Sequence, residues 1–253
     1  MDKTATTPTS SGLRRRHWFQ FSLRTLLIVM LVIGVSLGLL VNRARRQREA
    51  TSAILKAGGS VLYDYQKIAD ASKPNGFNPK AAPPGPDWLR NLVGAESFQE
   101  VVNVSLRDQP ITDEDLEELE KLPKLEGLDL TNTQVTSAGL VHLAGLTTLR
   151  SLGLWNTQVD DAGLQHIAHL HRLWQLNLDG TRVTDAGLMY LGGLTNLEEW
   201  LGLADTEVTD AGLEHLTGLT KLRNLNLRLT KVTEAGVQKL HRSLPKTHIS
   251  YGP

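Results

Sequence analysis

The sequence predicts an α/β solenoid, with a parallel sheet on its concave side and short helices on its convex side, preceded by a single transmembrane helix. Two observations carry that expectation. Six consecutive stretches share the pattern LxxLxLxxTxVTDAGLxxLxxLxx at a period of 24 residues, with one extra residue in the fifth. Self-similarity at a period of roughly 20 to 29 residues with this leucine spacing means one strand and one helical segment per repeat, stacked on its neighbours. Upstream, Leu26 to Val41 reads LLIVMLVIGVSLGLLV, 16 residues without a charge.

Residues 1–20 form a basic tail. Nine Lys/Arg among residues 1–50 stand against Asp2 and Glu49, a balance of +7, and because the whole chain is neutral the remainder carries −7. A mildly acidic repeat region binds polyanions poorly, since affinity for phosphates needs clustered Lys/Arg. Nucleic acid is therefore not an expected partner.

The uncharged run alone, as a helix, covers about 24 Å at 1.5 Å per residue, short of a hydrocarbon core of about 30 Å. A start at Phe21 extends it to about 31 Å, with the Arg24 side chain reaching back to the headgroups. The transmembrane helix is thus placed at 21–41, with Trp18, Phe19 and Phe21 at an interfacial aromatic belt. A cleaved secretory signal would need a small-residue cleavage site, and NRARRQRE stands there instead. Arg15-Arg16-His17-Trp18-Phe19 resembles a twin-arginine export signal, and a buried helix is a further alternative. Positive charge ties across the span, Arg14, Arg15, Arg16 and Arg24 against Arg43, Arg45, Arg46 and Arg48. The short N-tail tips the expectation toward an extracytoplasmic repeat domain on a single-pass membrane protein.

Residues 42–70 read as a juxtamembrane helix, stopped at Gly58-Gly59, and an alternating strand from Ser60 to Tyr65. Residues 71–86, ASKPNGFNPKAAPPGP, have the composition of a linker. Residues 87–100 are expected to cap the solenoid, because its first apolar layer needs a cover. Val61, Leu62, Tyr63, Trp88, Leu89, Leu92 and Phe98 would supply it, with Asp87 capping a short helix.

The repeats occupy residues 101–253: 101–124, 125–148, 149–172, 173–196, 197–221 and 222–245, followed by KTHISY as a closing strand. Strand alternation points Leu128 and Leu130 inward and Gly127, Asp129 and Thr131 to the concave face. The next apolar residue (Ile111, Val135, Val159, Val183, Val208, Val232) anchors the turn. Thr112-Asp113, Thr184-Asp185, Thr209-Asp210 and Thr233-Glu234, together with Asp161, are expected to offer oxygens to the free N–H groups that open each convex helix. Leu140, Leu143 and Leu146 continue as its inner stripe.

His142, His166 and His215 share one position in successive repeats. Neighbouring helices pack about 8 to 10 Å apart, whereas a zinc–nitrogen bond is about 2.1 Å, so this column is not a metal site. A His166/His169 pair lacks further ligands. No cofactor is implied. The chain has no cysteine, which excludes disulfides and thiolate sites, and it carries no GxSxG, P-loop or HExxH pattern. Enzymatic activity has the least support.

VTDAGLxxL makes the repeats similar to leucine-rich repeats of the long-helix kind found in ribonuclease-inhibitor-like and cysteine-containing subfamilies. With the apolar N-terminal segment, GGSVLYDYQ and PDWLRNLVG, the whole chain resembles bacterial membrane-anchored leucine-rich-repeat proteins. The fold class is then a leucine-rich-repeat solenoid, and the resemblance implies a protein-interaction scaffold. One departure is that Gln109, Thr133, Thr157, Thr181, Thr206 and Thr230 stand where the family has Asn or Cys at the strand end.

The outward strand positions form a grid from Asn103, Ser105 and Arg107 to Asn224, Asn226 and Arg228. Trp155 stands out on it, mid-array beside Asp179 and near small Gly153 and Ala204, because aromatic and arginine side chains dominate interfaces. Trp200 joins it only if the extra residue precedes it, since a one-residue shift reverses the faces. The expected partner site is Trp155, Asn177, Asp179, Trp200, Asn226 and Arg228. The leading function is a membrane-tethered module that binds an unknown protein or peptide on this face. An envelope structural or glycan-binding repeat protein is the alternative, and a ubiquitin-ligase-type adaptor a weaker one.

Overall fold

The computed structural model describes residues 23–67, 78 and 81–253. The basic tail, Trp18, Phe19, Phe21 and most of the linker fall outside them, as does the Leu92 side chain. The chain divides into two units, one ending at Leu40 and one running from Val41 to Pro253. In the first, the described residues are the opening of α1 (Leu23–Lys56). All of them are exposed, and an 18-residue window there has a mean hydropathy of 2.5. It is one long apolar helix by length and composition.

The second unit is built on one eight-stranded sheet in sequence order. Its strands are β1 (Ser60–Tyr63), β2 (Val101–Ser105), β3 (Gly127–Asp129), β4 (Ser151–Gly153), β5 (Gln175–Asn177), β6 (Trp200–Gly202), β7 (Asn224–Arg228) and β8 (His248–Gly252). β1 lies antiparallel on β2, and every later pair is parallel. Register follows the repeat, so that Leu128, Leu152, Leu176, Leu201, Leu225 and Ile249 align across the sheet. The leucines of this row and of the row two residues on (Leu130, Leu154, Leu178, Leu203, Leu227) are buried. Burying a side chain of this size contributes about 1.5–3 kcal/mol.

The extra residue of the fifth repeat falls at Glu198-Glu199, between Leu197, which holds the place of Leu173, and Trp200, which pairs with Gln175. It precedes Trp200, which therefore keeps the register of Gln175 and Asn224.

On the convex side the segments are short, as expected from the sequence, and helices of the long kind that the family resemblance implies are not found there among the described residues. The segments are 3-10 turns at Asp113–Lys121, Gly139–Leu143 and Gly212–Leu216, and short helices α3 (Asp161–Ile167) and α4 (Asp185–Leu188). Only α5 (Glu234–Ser243), in the last repeat, reaches ten residues; α2, upstream, is Asp87–Val93. The apolar spacing does not choose between the two forms: Leu140, Leu143, Leu146 and Leu149 in a 3-10 repeat and Leu164, Ile167, Leu170 and Leu173 in the repeat of α3 both step by three.

The Thr-Asp expectation is corrected as well. Threonine does cap its own segment, as where Thr184 Oγ1 accepts from Ala186 N at 3.3 Å and Thr209 Oγ1 from Ala211 N at 3.2 Å. The aspartate reaches the next repeat instead. Asp113 accepts from Thr136, Asp161 from Thr184, Asp185 from Thr209 and Asp210 from Thr233, each through the backbone N–H (2.7–2.8 Å) and the hydroxyl (2.6 Å). The glycine of the motif leaves room for this carboxylate: a Cβ at Gly139, Gly187, Gly212 or Gly236 would strike the aspartate of the preceding repeat. Repeats two and three exchange the roles. Ser137 replaces the aspartate, Asp160 replaces the threonine, and the two bond each other.

The first layer is covered by the Val41–Lys56 part of α1, which buries Ala44, Gln47, Ala50, Thr51 and Ile54 along one face, with Gln47 Nε2 donating to Gln99 O at 3.0 Å. β1 covers the edge of β2, with Val61 and Tyr63 packed on the core. Trp88, expected in this cap, is instead 68% exposed on α2. Asp87 does not cap that helix; Pro86 holds the cap position and Asp87 pairs with Arg90.

Candidate functional site

The concave face is laid out by the strand register. One row across it runs Ser105, Asp129, Gly153, Asn177, Gly202, Asn226 and Ser250. The glycines here are packing requirements, because a Cβ at Gly153 would stand 2.9 Å from Asp129 Oδ1 and one at Gly202 2.6 Å from both Asn177 Oδ1 and Asp179 Oδ1. The acidic and amide side chains thus lean over their neighbours.

These polar groups are engaged within the sheet. Asp129 Oδ1 accepts from Thr131 N at 3.0 Å and its other oxygen pairs with Arg107 at 3.0 Å. Asn177 Oδ1 accepts from Asp179 N at 2.9 Å, and Asn226 Oδ1 from Arg228 N at 3.3 Å. Arg228 Nη2 donates to the Pro253 carbonyl at 3.0 Å. Asn177 and Asn226 therefore brace the surface.

Asp179 differs from Asp129 in having no cationic partner. Its Oδ1 accepts from Ala204 N at 2.7 Å, and the Asn226 amide lies 3.3–3.4 Å from its two oxygens. No ion pair involves it among the described residues. Burial lifts its carboxyl above the ordinary aspartate range, against the opposing pull of the Ala204 N–H and the Asn226 amide.

Trp155 sits next to it. Asn156 N donates to Asp179 O at 2.9 Å, so the ends of the two strands run side by side. The indole is 47% exposed and lies over Gly180, where a Cβ would stand 3.6 Å from its Cδ1 and Nε1. Trp200 also belongs to the concave side of β6, but is half-buried between Gln175 and Asn224. It lies in a different row from Trp155, so the structure does not join the two indoles into one patch.

Gly180 was not singled out from the sequence, although a signal was there. Each repeat places one residue with positive φ before its strand-end residue (Gln109 in the first repeat, threonine in the others): Asp108, Asn132, Asn156, Gly180, Asp205 and Leu229. Aspartate and asparagine tolerate that conformation better than other side-chain-bearing residues. Glycine replaces them in the repeat that follows Trp155, where a Cβ would meet the ring at ordinary contact distance and nothing bulkier stands there. The threonines at the strand end, Thr133, Thr157, Thr181, Thr206 and Thr230, each donate to the leucine carbonyl three residues back at 2.6–2.8 Å.

On the convex side His142 Nδ1 lies 2.7 Å from Glu120 and His169 Nε2 2.6 Å from the Ala144 carbonyl. No group of three metal-ligating side chains occurs among the described residues. Two surface clefts lie at the N-terminal end of the repeats, of about 380 Å³ beside Arg48, Thr51 and Tyr63 and about 280 Å³ beside Glu100, Lys124 and Arg172.

A parallel strand every repeat, a leucine core and an engaged polar concave face define a leucine-rich-repeat solenoid. No family model and no curated protein matches the chain. Among solved structures it is similar to an internalin from Listeria monocytogenes, 22% identical with a TM-score of 0.44 over 60% of this chain and 47% of that one. Internalin C2 from the same organism is 18% identical (TM-score 0.44; 60% and 80% covered), and a leucine-rich-repeat protein of Leptospira interrogans 22% identical (TM-score 0.43; 53% and 33%). The chain spans about half the length of the first of these.

Proposed function

We propose that this chain is a membrane-tethered recognition module whose repeats hold a protein or peptide segment on the concave face around Trp155. The observation that carries the reading is the placement of Trp155: a large indole, half exposed mid-array, in contact with Gly180 and next to Asp179 on the neighbouring strand. Rigid aromatic side chains on a preformed sheet lose little entropy on binding and dominate interface energetics. The surrounding amides and carboxylates are held by the sheet, so the frame is ordered before a partner arrives. Tethering rests on the exposed apolar part of α1.

Crosslinking capture from membranes tests the reading, with the full-length protein compared with Trp155→Ala at matched circular dichroism. Loss of the captured protein on substitution is expected. An unchanged captured set overturns the concave-face reading.

A further inference from the structure

Resting on that concave-face reading, we infer that the partner presents a basic side chain, best an arginine, to a subsite formed by the Trp155 indole and the Asp179 carboxylate. Three observations converge on it. Asp179 is a half-buried carboxylate on a binding face without a cation, whereas Asp129 on the same face has Arg107 at 3.0 Å. The other concave arginine, Arg228, is directed to the Pro253 carbonyl. The indole stands exposed at the end of the neighbouring strand, about 4.8 Å away in backbone spacing, and the small residues Gly180 and Ala204 border the space.

The chemistry selects a planar cation. An indole face attracts a guanidinium through its quadrupole and offers a plane to stack on. The carboxylate has one short bond, from the Ala204 N–H, and long contacts of 3.3–3.4 Å with the Asn226 amide, which leaves its second oxygen with a lone pair for a charge-assisted hydrogen bond. A neutral amide of the same shape gains neither term. A sugar would stack on the same indole, but it would be indifferent to the charge of Asp179.

The test uses full-length protein in a non-ionic detergent, with 15N-labelled tryptophan and the Trp155 indole resonance assigned by Trp155→Phe. The probes are a capped hexapeptide of alternating serine and arginine, the same peptide with citrulline for arginine, and a cellotriose oligosaccharide. The arginine peptide is expected to shift the Trp155 resonance at a roughly tenfold lower concentration than the citrulline peptide, a preference erased by Asp179→Asn while the indole spectrum stays folded. Equal titration by the two peptides, or an arginine preference untouched by Asp179→Asn, overturns the inference, as does a response to the oligosaccharide alone. If capture of the membrane partner still depends on Trp155 in that case, the concave-face reading stands and only the cationic subsite fails.

Discussion

At the scale of single residues, the repeat motif assigns one task to each position, and the tasks run between repeats. Thr209 caps its own turn, Asp185 from the previous repeat takes the Thr209 N–H and hydroxyl, and Gly212 leaves room for that carboxylate. Hydrogen bonds to a charged group contribute about 1.5–3 kcal/mol each way they are lost, so Asp185→Ala is expected to lower unfolding stability by about 2 kcal/mol, read by denaturant titration. In that background Gly212→Ala should cost less than in the wild type, because the Oδ1 that its Cβ would strike is gone and only the tight 3.0 Å approach to the Asp185 Cα is left; additive costs in the double-mutant cycle would contradict the coupling. Asp179 carries the opposite sign. Its folded carboxyl is raised by burial, so between the ordinary aspartate value and the raised one the folded protein holds a proton that the unfolded chain has released. Its contribution to stability therefore falls as pH rises through that window and stays unfavourable above it. The surrounding charged side chains, Arg107, Asp129 and Arg228, are engaged elsewhere, so only the Ala204 N–H and the Asn226 amide oppose the burial, and they do so in part. Asp179→Asn should therefore match or exceed the wild type in stability at pH 7, with the difference vanishing below about pH 3.9. A marked loss at pH 7 would show that the ionised carboxylate braces the sheet.

At the scale of elements, the sheet was legible because leucine alternation and a fixed period leave one register, so even the insertion before Trp200 could be framed as a question of faces. The convex segments were less legible. Both a 3-10 and an α segment place residues i and i+3 on nearly one side, and the same three-residue apolar step runs through the 3-10 repeat of Leu140 and the α-helical repeat of Leu164, so it does not separate them. The aspartate bonds between repeats left no local signature, since a carboxylate beside a threonine at a helix start reads as a cap whichever repeat it serves. The candidate site was legible in part: Trp155 is odd against its column, whereas the absence of a cation at Asp179 depends on where Arg107 and Arg228 point. The turn after each strand offers a test at this scale. Its positive-φ position holds Asp, Asn or Gly in five repeats and Leu229 in the sixth, 61% exposed with φ 57°. An L-residue pays roughly 1–2 kcal/mol for this conformation, and Asn pays less through its local hydrogen bonds. Leu229→Asn is thus expected to stabilise the last repeat by about 1 kcal/mol, seen as slower amide exchange in β7 and β8. Unchanged or faster exchange there would mean that Leu229 is held by packing.

At the scale of the whole molecule, each repeat of the second unit leans on its neighbours, so stability is a chain of nearest-neighbour interfaces. A solenoid of this kind needs its first layer closed, and here the chain uses the same helix that begins as an exposed apolar segment: Ala44, Ala50 and Ile54 belong to the core, while Leu26 to Val41 are exposed. Water does not support that much contiguous apolar surface, whereas the helix counted from Leu23 to Val41 falls within the roughly 17 to 25 residues that a bilayer accepts. Basic residues on both flanks could also hold the chain to anionic lipid by charge alone, at about 1 kcal/mol per Lys or Arg near the surface, an attraction that salt screens. The two modes separate experimentally. An inserted helix is expected to keep the full-length protein in the membrane pellet through washes with 1 M salt (about 3 Å screening length) and alkaline carbonate, and deletion of residues 23–41 should release the repeats. Recovery in the salt wash would assign the association to the basic flanks, and a mature N-terminus beyond Val41 would identify the segment as a removed signal.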